Sequence, residues 1–175
     1  MINMDKQPDE FLTREEIAQR VKEIAQEINR DYEGRPVLFL GTLTGSFIFL
    51  ADLVREITLD VQIDFVKLSS YAGTESTREV KEDLKLSWDV IDRHVIIVED
   101  IVDTGHTALY LKKMLAKKRT ASVALCSLLD KPSRREVQDI TCDYLGFSIP
   151  DKFVVGYGLD FNQKYRELPY IGIVS

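Results

Sequence analysis

Cysteine is nearly absent: the 175-residue chain has two, Cys126 and Cys142, with neither metal-ligand spacing nor a partner pattern. A disulfide scaffold and a cysteine-ligated zinc site are therefore not expected. Cys126 lies inside the apolar run Ser122 to Leu129, where a buried thiol is expected. No apolar run approaches the length of a membrane span. Met1 to Phe11 is polar where a secretory signal would be hydrophobic. With 5 prolines and 9 glycines the chain also lacks a Gly/Ser/Pro-rich linker, and it shows no internal repeat. Positive charge is in deficit, with 23 basic against 29 acidic residues and a net charge of −6. That balance argues against a global grip on nucleic acid or on an anionic membrane. The expectation is a reduced, soluble, cytoplasmic protein. A hydrophobic share of 45% at this length supports one sizeable core and a single domain over residues 1–175.

What is present alternates between helical and strand patterns. Thr13 with Glu16 three residues on forms a capping box, and Ile17, Val21, Ile24, Ala25 and Ile28 then recur at helical spacing, predicting a helix over 14–30. Pro36 to Leu40 reads as a buried strand and Ser46 to Ile57 as a second helix. Val61 to Leu68 and Val80 to Leu86 read as strands, separated by the polar stretch Ser69 to Glu79. His94 to Val98 is an apolar run ending in acids, followed by a helix from Thr107 to Lys118 and a strand from Ala121 to Leu129. Short β-like pieces close the chain near Tyr144 to Phe147, Phe153 to Tyr157 and Tyr170 to Val174. The alternation predicts an α/β fold, a mostly parallel twisted sheet with helices on both faces.

The most informative segment is Val-Ile-Ile-Val-Glu-Asp-Ile-Val-Asp-Thr-Gly-His-Thr, residues 95–107. Ligands of open α/β sheets bind at the carboxyl ends of the strands. Here Glu99, Asp100 and Asp103 stand at such an end, and Thr104, Gly105 and Thr107 open a helix whose free N–H groups suit a phosphate. The acids offer hard oxygens for Mg²⁺ or for ribose hydroxyls. Phosphate beside three acids calls for a divalent cation. The competing readings are a solvated loop capping the next helix and a receiver-type phosphoacceptor pocket, although that pocket gathers its acids from separate strands.

This segment resembles the phosphoribosyl-diphosphate signature of the type I phosphoribosyltransferases, most closely that of their hypoxanthine-guanine branch. Three further stretches match in order. Pro36 to Leu53, opening Pro-Val-Leu-Phe-Leu-Gly-Thr-Leu-Thr-Gly-Ser-Phe, resembles the pyrophosphate loop. Leu128-Leu129-Asp130-Lys131 resembles the strand carrying the base-binding lysine. Phe147 to Asp160, with Ile-Pro-Asp-Lys-Phe-Val-Val-Gly-Tyr-Gly-Leu-Asp, resembles the hood over the purine. The resemblance implies a core over about 36–145, with a small hood from the N-terminal segment and about 146–175. It implies transfer of phosphoribosyl to hypoxanthine or guanine, giving IMP or GMP and pyrophosphate, in a homodimer or homotetramer.

By the same resemblance, Asp103 is the general base taking the N7 proton as N9 attacks, and burial beside the other acids would strengthen it. Glu99 and Asp100 bind the ribose hydroxyls, partly through Mg²⁺, and Asp103, Thr104, Gly105, His106 and Thr107 hold the 5′-phosphate. His106 itself is read as a solvent-facing helix residue and His94 as structural. Lys131 addresses O6, Phe153 stacks on the purine and Val154 pairs with its edge through the backbone. Asp160 holds a second Mg²⁺, and Arg166 with the loop Leu43, Thr44 and Gly45 contacts pyrophosphate. The Leu43–Thr44 bond is cis in the family, and many members carry lysine where this chain has Thr44. Ser70 and Tyr71 belong to a lid. Lys112, Lys113, Lys117, Lys118 and Arg119, with Arg134 and Arg135 as a second patch, are what a nucleic-acid-binding regulator of the same fold would use. A transferase for another base, such as xanthine, is the alternative among enzymes.

Overall fold

The computed structural model describes residues 7–70, 80–84, 86–87 and 89–174. Helix α1 (Arg14–Asp31) starts at the expected capping box: Thr13 Oγ1 accepts from the Glu16 N–H at 3.1 Å, and the Thr13 N–H donates to Glu16 Oε2 at 2.8 Å. The five apolar residues named from its periodicity are all buried. β2 (Val37–Leu43), α2 (Phe47–Glu56), β3 (Val61–Ser70), β4 (Val80–Leu84), β5 (His94–Val102), α3 (His106–Lys117), β6 (Ser122–Asp130) and β7 (Tyr144–Ser148) follow. They build one sheet in the order β4-β3-β2-β5-β6-β7, in which β3, β2, β5, β6 and β7 are parallel and β4 is an antiparallel edge.

Both faces of that sheet are covered, as expected of parallel strands. Val37 and Phe39 point to the side of α1 and α2, packing with Ile24, Ile28 and Leu53. Leu38 and Leu40 point the other way, to Leu111 and Leu115 of α3. The alternation is the two-residue period of a strand. Cys126 is fully buried on the α1 side. Among the described residues no helix is long and apolar enough to cross a membrane.

Three boundaries differ from the sequence reading. β5 does not stop at Val98 but runs through the acids to Val102, because β6 continues beside it with Glu99 opposite Ser127 and Ile101 opposite Leu129. The piece near Phe153 to Tyr157 shrinks to β8 (Val154–Val155), since Gly156, Tyr157 and Gly158 take positive φ values of 97°, 49° and 102° and turn the chain. A strand not expected, β1 (Asp9–Leu12), pairs antiparallel with β9 (Ile171–Ile173), which also pairs with β8. This three-stranded sheet is separate from the large one.

Candidate active site

The strand order reverses between β2 and β5: the chain moves outward from β2 to β3 and β4 one way, and from β5 to β6 and β7 the other. A crevice must open at the carboxyl ends of that pair. It is a cavity of about 230 Å³ lined by Thr42 and Leu43 from β2, Leu68 from β3, and Glu99 through Gly105, Thr107 and Ala108. Helix α3 begins there without a side-chain cap, with Gly105 at φ 91° as its N-cap. Its first-turn N–H groups have no intrahelical partner and suit an anion.

At the inner end of the cavity the acids are buried. Glu99 is 5% exposed; its Oε2 accepts from the Thr42 hydroxyl at 2.6 Å, while its buried Oε1 has no hydrogen-bond partner among the described residues. Burial first, and then the charge of Asp100, push the Glu99 carboxyl up to about 8, against the pull of the Thr42 bond. Asp100 is raised to about 6, again chiefly by burial, with Asp160 adding to the rise and the Ile101 N–H and Arg166 opposing it. Two adjacent carboxylates with so little positive charge nearby are short of a cation.

The loop from β2 closes over this pair. Its Leu43–Thr44 peptide bond is cis, as the resemblance implied. Gly45 follows where a Cβ would lie 1.6 Å from Asp100 Oδ2, so only glycine allows that approach. Gly158 in turn sits on the Gly45 carbonyl, where a Cβ would lie 2.1 Å from the oxygen. Arg166 donates to the Gly158 carbonyl at 2.7 Å and pairs with Asp160 at 2.9 Å, which brings both groups into the electrostatic reach of Asp100. Gly45, Asp100, Gly158, Asp160 and Arg166 thus form one packed assembly.

Asp103 departs from expectation. Its side chain is 41% exposed rather than buried with the other acids, and Oδ1 accepts from Arg134 Nε at 3.1 Å. The strand has ended at Val102, so Asp103 projects from the turn toward the segment after β6. Arg134 and Arg135 are correspondingly not a free basic patch. Arg135 grips the Asp130 carboxylate and donates to the Asp103 carbonyl at 3.3 Å, and Arg134 also lies 3.7 Å from Asp151. The Glu136 and Val137 N–H groups both donate to the Thr104 carbonyl, so residues 135–137 hold the turn 103–107 from behind.

Lys131 leaves β6 8% exposed, its ammonium 3.7 Å from Asp151. Phe153 is not core: it is 46% exposed, edge-on to Phe161 at 5.4 Å between ring centroids, which leaves a face open. Val154 beside it is buried in β8. His106 starts α3 half-exposed, 2.9 Å from Glu136, and His94 bonds Ser122 at 2.8 Å, both as read from the sequence. Ser70 ends β3, whereas Tyr71 lies outside the described residues. Thr42, Arg134 and Arg135 are not site residues by sequence; only the fold shows which partners they meet. A larger cavity of about 540 Å³ between α1, α2 and the segment 167–169 lies away from the strand ends and gathers no comparable chemistry.

Comparison with known proteins agrees with this geometry. Residues 7–162 match the family model described as the phosphoribosyl transferase domain. The hypoxanthine-guanine phosphoribosyltransferase of Lactococcus lactis is 46% identical over 175 residues, covering 99% of this chain and 94% of that protein. The hypoxanthine phosphoribosyltransferase of Salmonella typhimurium is 46% identical over 162 residues, covering 91% and 90%. The crystal structure of a hypoxanthine-guanine phosphoribosyltransferase from Bacillus anthracis superposes with a TM-score of 0.90 at 44% identity, covering 95% of this chain and 96% of that one. With the signature turn at the switch point and relatives that align from end to end, this chain belongs to the phosphoribosyltransferase family, on its hypoxanthine-guanine branch.

Proposed function

We propose that this protein is a purine-salvage enzyme that transfers the 5-phosphoribosyl group from phosphoribosyl diphosphate to N9 of hypoxanthine or guanine, forming IMP or GMP and pyrophosphate. The observation that carries the reading is the convergence on one crevice of the cis Leu43-Thr44-Gly45 loop, the buried Glu99–Asp100 pair and the open α3 N-terminus. Among the described residues no other helix N-terminus opens beside a buried pair of acids.

In this reading Thr104, Gly105, His106 and Thr107 hold the 5′-phosphate with backbone N–H groups and hydroxyls. Glu99 and Asp100 face the ribose diol. Leu43, Thr44 and Gly45, with Arg166, receive the pyrophosphate. Phe153 offers its open ring face to the purine, Val154 its backbone and Lys131 a proton donor to O6, a preference for 6-oxopurines over adenine. Asp103 accepts the N7 proton as N9 bonds to the anomeric carbon and the bond to pyrophosphate breaks. Arg134 engages its Oδ1, and among the described residues none bonds Oδ2, which is left to take that proton. Ser70 and Tyr71 would close over the centre to exclude water from an oxocarbenium-like transition state. The small β1-β9-β8 sheet, with residues from about 146 onward, serves as the hood above the core.

Among the described residues no group of three acids, histidines or cysteines is assembled as a metal cluster. The donors nevertheless fit Mg²⁺, which needs only one or two carboxylates besides phosphate oxygens and water. Glu99, whose Oε1 has no partner among the described residues, and the adjacent Asp100 would hold one ion, and Asp160 a second on the pyrophosphate side. When bound, it supplies positive charge to the leaving pyrophosphate and relieves the repulsion between the acids. A cytoplasmic location and a homodimer or homotetramer belong to the same reading. Phe49, Leu50 and Leu53 of α2 are core, so α2 would offer a partner its exposed Phe47.

The test is a spectroscopic assay with phosphoribosyl diphosphate and Mg²⁺ against hypoxanthine, guanine, xanthine and adenine. Nucleotide formation from the first two, abolished by chelation of the metal, is expected. Folded protein that binds phosphoribosyl diphosphate yet turns over no purine would overturn the assignment.

A further inference from the structure

Four charged side chains of alternating sign run in a row from Lys131, just after β6, to Asp103 at the mouth of the cavity. Lys131 Nζ lies 3.7 Å from Asp151 Oδ1, Asp151 Oδ2 lies 3.7 Å from Arg134 Nη1, and Arg134 Nε donates to Asp103 Oδ1 at 3.1 Å. The two ends of the row are the groups assigned to the purine, and they address neighbouring atoms on one edge of the base, O6 and N7. Of the two middle members, Asp151 has no part in the proposed reaction, and Arg134 none beyond engaging Asp103 Oδ1.

Their geometry indicates what they do. Lys131 is a nearly buried ammonium that needs a counter-charge. Asp151 supplies one, but 3.7 Å is beyond a hydrogen bond, so the ammonium is neutralised without being tied down. A closer pair would withhold it from O6. Arg134 contacts two carboxylates through different nitrogens of one rigid fork, which sets the separation between the turn after β5 and the start of the hood. It reaches Asp103 through Oδ1 alone. Both middle side chains are about half exposed, 49% for Arg134 and 52% for Asp151. Exposed pairs of this kind add little to stability, so the row is poorly explained as a stabilising device.

We propose that Arg134 and Asp151 are positioning residues for the purine edge, a two-membered bridge that holds Lys131 and Asp103 at the spacing of O6 and N7. This rests on the assignment of Lys131 and Asp103 to the base. When a 6-oxopurine enters, Lys131 moves from Asp151 to O6 and Asp103 Oδ2 meets the N7 proton. Arg134 remains between Asp103 and Asp151 and takes over the charge that Lys131 leaves. Adenine presents an amino group at position 6, which the donor at Lys131 cannot use.

The bridge acts on the base and not on the phosphate groups, which separates it from a structural role. In steady-state kinetics with hypoxanthine, Arg134→Ala and Asp151→Asn should each lower kcat about tenfold to a hundredfold, the range expected when a reacting group is misplaced by about an ångström. The KM for phosphoribosyl diphosphate should stay within about twofold, and the melting temperature should hardly move. The double variant should be little worse than either single one, because both remove the same bridge. Arg134→Lys restores charge but not the fork, and should stay close to Arg134→Ala. Wild-type kcat in Arg134→Ala, full recovery in Arg134→Lys, or fully additive losses in the double variant would each overturn the proposal. Wild-type protein and Asp103→Asn run alongside keep the two levels apart. Inactive wild type, or an active Asp103→Asn, would instead remove the reading on which the proposal rests.

Discussion

The two ends of the cavity between β2 and β5 are built from the same residue types in opposite surroundings. At the inner end Glu99 and Asp100 are buried, Asp100 pressed against Gly45, and burial above all raises their carboxyls to about 8 and about 6. At the outer end, three residues further along, Asp103 is 41% exposed and faces a guanidinium. Sequence proximity therefore says little about the chemistry of a carboxylate; the end of the strand at Val102 separates the two environments. The inner pair is suited to hold a cation and a sugar diol, and the outer row to meet a base and move its proton.

The contrast can be broken by asking which substrate each end serves. Replacing the inner pair, Glu99→Gln with Asp100→Asn, should cost the largest amount, roughly a thousandfold in kcat/KM for phosphoribosyl diphosphate, with a raised Mg²⁺ requirement. At the outer end Lys131→Ala should lower kcat/KM for hypoxanthine about a hundredfold and narrow the preference over adenine, leaving the KM for phosphoribosyl diphosphate nearly unchanged. If both variants moved the same parameter, the division would fail. A smaller effect sharpens the inner end. Gly45→Ala places a methyl where Asp100 Oδ2 stands, so the KM for phosphoribosyl diphosphate should rise about tenfold while the thermal transition stays cooperative.

The smallest effect concerns pH. The Glu99 carboxyl lies above its ordinary value of 4.5 in the folded protein, so the folded state holds a proton that the unfolded chain has lost. Its contribution to stability is fully present below about 4.5 and is lost as pH rises toward about 8. Metal-free protein should therefore melt a few degrees lower at pH 8 than at pH 5 on this account, and Glu99→Gln should flatten that slope in calorimetry. An unchanged slope in the variant would show that the burial of Glu99 is not its source.

Much of this was legible without coordinates, and the limits have physical causes. The capping box at Thr13, the apolar strands and the acidic strand end followed by Thr-Gly-His-Thr are local patterns, and they located α1, the sheet and the phosphate turn within a few residues. The cis Leu43–Thr44 bond came from resemblance alone. The pairing of β1 with β9 joins residues more than 150 positions apart, and a four-residue strand carries no periodicity to announce it. Glu99 and Asp100 read as acids at the strand end because charge usually stops a buried strand; a neighbouring β6 carries β5 through them to Val102. The exposure of Asp103 was misjudged for a related reason, since its partner Arg134 arrives from a turn 31 residues away. The same distance made Arg134 and Arg135 look like surface charge when both are spent on carboxylates.

The most direct measurement sets binding and chemistry side by side on Asp103→Asn: the affinity for phosphoribosyl diphosphate with Mg²⁺ by calorimetry, and the single-turnover rate with hypoxanthine on the same preparation. Asp103 as proton acceptor predicts an affinity within about twofold of wild type and a rate lowered about a hundredfold to ten-thousandfold. A variant that turns over at the wild-type rate, or one that loses phosphoribosyl diphosphate as fully as it loses turnover, would contradict it.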